Sequence, residues 1–222
     1  MKPETTDKAT YRTMGLMVTA VIFLVLIIDQ LIKFEVKTHL HLFESIEIMP
    51  WFQINFTENS GMAFGMEFTG TWILAIFRFI AILFFCFVLH RLIRRGAKRG
   101  FIFCIALIVG GALGNIVDNC FYGLIYTESL PAYMTDAPAQ LVSLGNGYGT
   151  FLSGRVVDMF YFPLFVWPDW MPILAGKTFF GAIFNFADAC VSVGAIALIL
   201  FYPRLIFGGT KETESQDAET PQ

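Results

Sequence analysis

The chain has 222 residues, 56% of them hydrophobic and only 15% charged, with a formal net charge of −3 and a mean hydropathy of +0.63. A soluble domain carries roughly 25% charged residues, so this composition excludes an ordinary water-soluble enzyme, and no basic-aromatic surface points to nucleic acid. There is no glycine-rich phosphate loop, tandem repeat or Cys-x-x-Cys pair; Cys86, Cys104, Cys120 and Cys190 sit in or beside apolar blocks, where reduced, buried thiols are expected.

Four apolar blocks lie at about 14–33, 72–89, 101–122 and 179–202. Each holds on the order of 20 residues, enough to cross ~30 Å of hydrocarbon at 1.5 Å per residue. The first block is long for a cleaved leader, and Asp29, Gln30 and Lys33 stand where small cleavage-site residues would be, so it reads as an anchor. In the connection at about 35–71, His39 and His41 flank Leu40 without a third ligand and read as a solvated loop, not a metal site. Phe52–Thr57 alternates apolar and polar residues and predicts a half-buried strand. The second block contains Arg78, which either snorkels outward or pairs with an interior carboxylate.

The turn between the second and third blocks, HRLIRRGAKRG, carries Arg91, Arg94, Arg95, Lys98 and Arg99. Lys2, Lys8 and Arg12 precede the first block, and Arg204 and Lys211 follow the last, whereas the two long connections hold only Lys37, Arg155 and Lys177. The basic residues therefore predict cytoplasmic termini and two outer connections, about 35–71 and 123–178. Gly123–Ser153 is a long stretch containing Gly, Ser and Pro, of the kind that is functional or mobile. Met159–Gly176 carries Trp167, Trp170 and three prolines and suits the membrane interface. Residues 208–222 are polar and predicted to be disordered, leaving one membrane domain over 1–207.

In this orientation Asp29 and Lys33 lie near the outer end of the first span, and Asn115 and Asp118 near that of the third. Asn185 and Asp188 fall in the outer part of the fourth, and Asp158 lies in the connection leading to it. Ionisable groups at membrane depth are costly and face a bundle interior or a wet cavity. Gly110, Gly111 and Gly114 allow another helix to approach the third span. Asp29 and Lys33 have the spacing and order of a local ion pair. Two close carboxylates cannot both ionise cheaply: the ionised one activates water and the protonated one donates to the carbonyl oxygen and then to the leaving nitrogen. Asparagine side chains would position them. By residue type alone Asp29, Asp118, Asp158 and Asp188 all remain candidates. A transporter would spread its carboxylates through the membrane depth or show inverted repeats. A scaffold would use its polar residues as helix glue.

Five motifs narrow the choice. Asp29-Gln30-Leu31-Ile32-Lys33 resembles the DQxxK run of lipoprotein signal peptidases, and Asn59-Ser60-Gly61-Met62-Ala63-Phe64-Gly65 resembles their N-x-G-x-A-F-G segment. Gly110 to Asp118 resembles their GGxxGNxxD block, Val156-Val157-Asp158-Met159 their VVDF block, and Phe184-Asn185-Phe186-Ala187-Asp188 their FNxAD block, all in family order. The resemblance implies a mostly helical membrane fold with minor β structure: four transmembrane helices, a small extracytoplasmic β-cradle and a short interfacial helix. It also implies a metal- and cofactor-free aspartyl endopeptidase of the bacterial inner membrane. Its substrate would be a diacylglyceryl-prolipoprotein, cut just before the lipidated cysteine, with membrane lipids as the other contact; no oligomeric partner is implied. Asp158 and Asp188 would be the catalytic pair. Asn59, Asn115 and Asn185 would order the site, with Asp29, Lys33, Asp118 and Gly111 in support. Two departures stand out. The family usually has Arg after the GNxxD aspartate, where this chain has Asn119, and Arg155 is the candidate replacement for its lipid or carbonyl contact. The family also joins GNxxD to VVD by a short turn, whereas 39 residues separate Asp118 from Asp158 here.

Overall fold

Long apolar runs without internal proline form the helices of the computed structural model, which describes residues 8–60 and 71–207. Lys2, Gly61–Gly65 of the second motif and the tail at 208–222 lie outside the described residues. Helix α1 spans Lys8–His39 and α2 spans Thr71–Arg94. Gly96, at φ 64°, ends α2 and lets the Ala97 N–H bond Leu92 O at 3.0 Å. Helix α3, Arg99–Val117, therefore returns beside α2 and runs on through a π-helical turn, Asp118–Tyr122, into the short α4, Gly123–Ile125. Helix α5 spans Phe186–Phe201 and α6 spans Pro203–Phe207. Among the described residues, three helical runs are long and apolar enough to cross a membrane: Lys8–His39, Ala75–Arg94 and Arg99–Ile125. Helix α5 is apolar but shorter. In its most apolar stretch the third run is 67% buried, against 17% for each of the others, so α3 is the central helix.

Small residues set how closely α3 is approached. A Cβ on Gly110 would sit 3.0 Å from Val25 Cβ of α1, and one on Gly111 would strike the Ala187 carbonyl oxygen of α5. At Gly114 it would meet Asp29 Oδ2 at 2.5 Å. The backbone of α3 thus lies against the polar face of α1 and the first turn of α5.

A four-stranded antiparallel sheet, in the order β1-β2-β3-β6, closes one end of the bundle. Its strands are β1 (Ser45–Met49), β2 (Phe52–Asn59), β3 (Val156–Tyr161) and β6 (Ile183–Phe184). The strand expected at 52–57 is β2. Its register puts Thr57 opposite Asp158 and Asn59 opposite Val156, and Phe160 of β3 faces Phe184. Phe162 stacks between Phe52 and Phe184, with centroids 4.9 and 5.7 Å apart. Between β3 and β6 a hairpin of β4 (Phe165–Val166) and β5 (Thr178–Phe179) projects from the sheet. One apolar core, around Ile102, Ile105 and Val109, fills the basic end. The other, around Phe56, Val157 and Met159, lies beneath the sheet.

Two expectations need correction. The block at 179–202 is not one helix: Phe179, Ile183 and Phe184 are in strands, and α5 begins only at Phe186. An apolar aromatic run is compatible with either state, and the cap at Asn185 decides the start. Cys86 is exposed on α2, whereas Cys104 and Cys190 are buried.

The 39-residue segment is tied down rather than loose. At its base the buried Lys37 ammonium pairs with Glu58, donates to Ser129 Oγ at 2.8 Å, and lies 5.2 and 5.3 Å from the Tyr126 and Tyr148 ring centres. Arg155 reaches Glu58 and Glu128 at 3.3 and 3.2 Å.

Gly111→Val tests the close approach. Its side chain has to displace the backbone of α5, so an overpacking cost of about 1–3 kcal/mol is expected as a lower melting temperature of the detergent-solubilised protein. Gly15→Ala, where a Cβ meets nothing within 4 Å, serves as the neutral control; equal melting of the two variants would contradict the packing.

Candidate active site

The site is built on one fully buried ammonium. Lys33 pairs with Asp29 Oδ2 at 2.9 Å and Asp118 Oδ2 at 2.7 Å, and donates to Asn115 Oδ1 at 2.8 Å. These contacts use all three N–H donors of a lysine. Asp29 is one turn before Lys33 on α1, whereas Asn115 and Asp118 share a face of α3, so the ammonium joins the two helices. The carboxylates collect further donors. Asp29 Oδ1 accepts the Ala187 N–H at 2.9 Å, which places its charge at the N-terminus of α5, where the helix dipole favours an anion. Asp118 accepts Gln30 Nε2 at 2.9 Å and, weakly, the Val157 N–H at 3.3 Å.

Lys33 also dictates which way Asn115 faces. An ammonium only donates, so Asn115 turns its oxygen to Lys33 and its Nδ2 to Asp188 Oδ1, at 2.8 Å. Asn185 is fixed by similar logic. It is the N-cap of α5, its Oδ1 accepts the Asp188 N–H at 2.8 Å, and a return bond from Asn185 N to Asp188 Oδ2 completes a capping box. Its Nδ2 is then left to donate to Asp158 Oδ1 at 2.6 Å and Asn115 Oδ1 at 3.0 Å. Each carboxylate therefore receives one asparagine N–H of fixed direction. Asn59, the last residue of β2, also hydrogen-bonds Asp158.

Asp158 is 3% exposed, in the middle of the sheet, whereas Asp188 is half-buried in the first turn of α5. Burial, reinforced by the charge of Asp188, pushes the Asp158 carboxyl up to about 7. Asp158 therefore holds its proton well above the ordinary carboxylate range, beside the more accessible Asp188. That arrangement can deprotonate a water and protonate a carbonyl oxygen.

Of the residues expected at the site, Asp158, Asp188, Asn59, Asn115 and Asn185 come together directly. Asp29, Lys33 and Asp118 form the layer behind them, and Gly111 seats α5 through Ala187. Arg155 does not join this cluster, being held by Glu58 and Glu128. Sequence reasoning missed Gln30, which bridges Asp29 and Asp118 and accepts the Tyr122 hydroxyl at 3.2 Å. It also missed the Lys37–Glu58 pair. The signal for Lys37 was present: Asp29, Lys33 and Lys37 recur every fourth residue and form one charged helix face. His39 and His41 lie beside Glu35 and Glu44, away from the site.

A buried carboxyl beside a half-buried carboxylate, at one end of an apolar helix bundle, is the arrangement that an aspartic hydrolase requires. Residues 21–204 match the family described as Signal peptidase (SPase) II. The lipoprotein signal peptidase of Porphyromonas gingivalis is 44% identical over 216 residues, covering 92% of this chain and 93% of that protein. The lipoprotein signal peptidase of Amoebophilus asiaticus is 30% identical over 216 residues, covering 89% and 84%. Two bacterial membrane enzyme structures, obtained by the in meso method at 2.3 and 1.9 Å resolution, share the fold with TM-scores of 0.53 and 0.54 at 20% and 23% identity. They cover 89% and 87% of this chain, and it covers 94% of each of theirs. The chain belongs to the signal peptidase II family of aspartic peptidases.

Lys33→Met removes the charge and keeps most of the stem. It leaves the buried Asp29 and Asp118 without their cation, a change that typically costs about 3–5 kcal/mol. A melting temperature close to that of wild type would contradict the central place given to this ammonium.

Proposed function

We propose that Asp158 and Asp188 are the catalytic pair with which this peptidase removes the signal peptide from prolipoproteins. The bond cut is the amide just before a diacylglyceryl-modified cysteine. The observation that carries the reading is the pairing itself: each carboxylate is held by an oriented asparagine, and one of them retains its proton near neutrality. Asp188 is the base. It takes a proton from a water as the oxygen of that water attacks the carbonyl carbon, while Asp158 donates its proton to the carbonyl oxygen. The tetrahedral diol then collapses: the C–N bond breaks, the nitrogen takes the proton from Asp188, and Asp158 recovers its own from the hydroxyl. Asn115 and Asn185 hold the carboxylates through this exchange, and Asn59 supports Asp158. Asp29, Lys33 and Asp118 hold the asparagines.

The membrane placement follows from charge. Arg91, Arg94, Arg95, Lys98 and Arg99 cluster at the end remote from the sheet, which is therefore the cytoplasmic end, with both termini there. The sheet is the extracytoplasmic cradle, and Trp167 and Trp170 of its hairpin lie at the interface. Helix α5, 16 residues and about 24 Å long at 1.5 Å per residue, provides the fourth crossing, with α6 following beyond the break at Tyr202. The dyad then lies at the outer level of a bacterial inner membrane, where the acyl chains stay in lipid while the peptide enters the polar site. Each CH₂ left in lipid contributes about 0.8 kcal/mol to anchoring the substrate.

Purified protein is expected to cut a synthetic diacylglyceryl-prolipoprotein before the lipidated cysteine. Asp158→Asn and Asp188→Asn are each expected to lower the rate by about 10³-fold or more with folding retained. Cleavage by either folded variant at the wild-type rate would remove that residue from the pair. The pH dependence has a fixed sign. Because Asp158 must be protonated, the rate is expected to fall as pH rises through about 7. The same group favours the folded state fully below its ordinary value of 3.8 and loses that contribution as pH rises through about 7. Asp158→Asn, which cannot ionise, should therefore gain in melting temperature over wild type more at pH 8 than at pH 5. An equal difference at both pH values would contradict the shift.

A further inference from the structure

Arg78 lies about two turns from the start of α2, with its side chain half-buried. Among the described residues it pairs with no carboxylate. Its Nη1 donates to Asn119 Oδ1 at 2.6 Å. Asn119 is buried in the π-helical turn directly after Asp118. Because a guanidinium only donates, the Asn119 oxygen faces Arg78 and its Nδ2 turns to Gly154 O, at 2.8 Å. The Gly154 N–H returns to Asn119 O at 3.0 Å. The guanidinium is thus anchored on the turn that carries Asp118 and on the segment that leads into the strand carrying Asp158.

Among the described residues Arg78 forms no ion pair, whereas the buried Lys33 and Lys37 each have carboxylate partners. Among the described residues one of its five N–H donors is used, on Asn119, which leaves the others for a ligand. A cation at membrane depth, aimed by a buried amide and lacking a counter-ion, marks a binding function. It stands at the level of Asp118, at the dyad end of the bundle. The proposed substrate brings ester carbonyl oxygens to that level, where the glyceride leaves the acyl region.

We propose that Arg78, oriented by Asn119, is a substrate-binding residue that donates hydrogen bonds to the ester carbonyls of the diacylglyceryl group. This rests on the prolipoprotein reading above. It makes Arg78 a determinant of lipid specificity, separate from the two aspartates that cut the peptide.

The test compares two precursors of identical peptide sequence, one with a diacylglyceryl cysteine and one with a dialkylglyceryl ether cysteine, which lacks the ester carbonyls. Wild type, Arg78→Gln, Arg78→Lys and Asn119→Ala are assayed as full-length protein in detergent micelles. On the ester precursor, Arg78→Gln is expected to raise KM about tenfold with little change in kcat or melting temperature. Arg78→Lys should recover part of the loss, and Asn119→Ala should resemble Arg78→Gln. On the ether precursor, wild type should already show the raised KM, and Arg78→Gln should add nothing. An equal KM penalty on both precursors, or a fall in melting temperature and kcat at unchanged KM, would overturn the proposal and make Arg78 a strut between α2 and α3. Failure of wild type to cut either precursor would instead remove the underlying prolipoprotein reading, and this one with it.

Discussion

A lysine ammonium without water needs three acceptors, and the site follows from how Lys33 finds them. Two are the carboxylates of Asp29 and Asp118, and the third is Asn115. The first two join α1 to α3 through a polar layer that hydrocarbon would otherwise penalise heavily. The third turns an ambiguous amide into a directed donor. With its oxygen committed to Lys33, Asn115 must present its N–H to Asp188. The Lys33 charge therefore sets the direction of a hydrogen bond to Asp188, a member of the proposed catalytic pair.

The start of α5 supplies the other half of the arrangement. The first N–H groups of a helix need acceptors, and here they find Asp29 and Asn185. The same capping box that begins the helix holds Asp188 in its first turn and directs Asn185 onto Asp158. Strand β3 brings Asp158 to that point, and its pairing with β6 leads the chain from one aspartate back to the other. Helix start, sheet edge and catalytic geometry depend on the same few hydrogen bonds. The glycines of α3 let this junction form, because a Cβ at Gly111 or Gly114 would occupy the space used by Ala187 or Asp29.

Much of this was legible in the sequence because the membrane makes polar residues conspicuous. Asp29, Lys33, Asn115, Asp118 and Asp188 stand out against apolar neighbours, and helix periodicity is enough to put Asn115 and Asp118 on one face. Phe52–Thr57 declared itself by alternation. The start of α5 was not legible from hydropathy, since Phe179, Phe180 and Phe184 suit a buried strand as well as a helix. Strand β3 was hidden because Val156, Val157 and Met159 are buried on both faces and show no alternation. Lys37 and Glu58 were missed because their pairing depends on how the sheet lies over the end of α1. Arg78 was legible as an anomaly, but not as a partner of Asn119, 41 positions away in sequence.

The central claim is that burial and the neighbouring Asp188 hold the proton on Asp158. The most direct measurement is a carbon-13 NMR titration of the protein labelled at its aspartate carboxyl carbons, with Asp158 assigned by substitution and followed in wild type and in Asp188→Asn. The account predicts that the Asp158 signal titrates near 7 in wild type and at distinctly lower pH once the neighbouring charge is gone. Titration in the ordinary carboxylate range, or a midpoint indifferent to Asp188, would mean that the two groups ionise independently, and the shared-proton mechanism would fall.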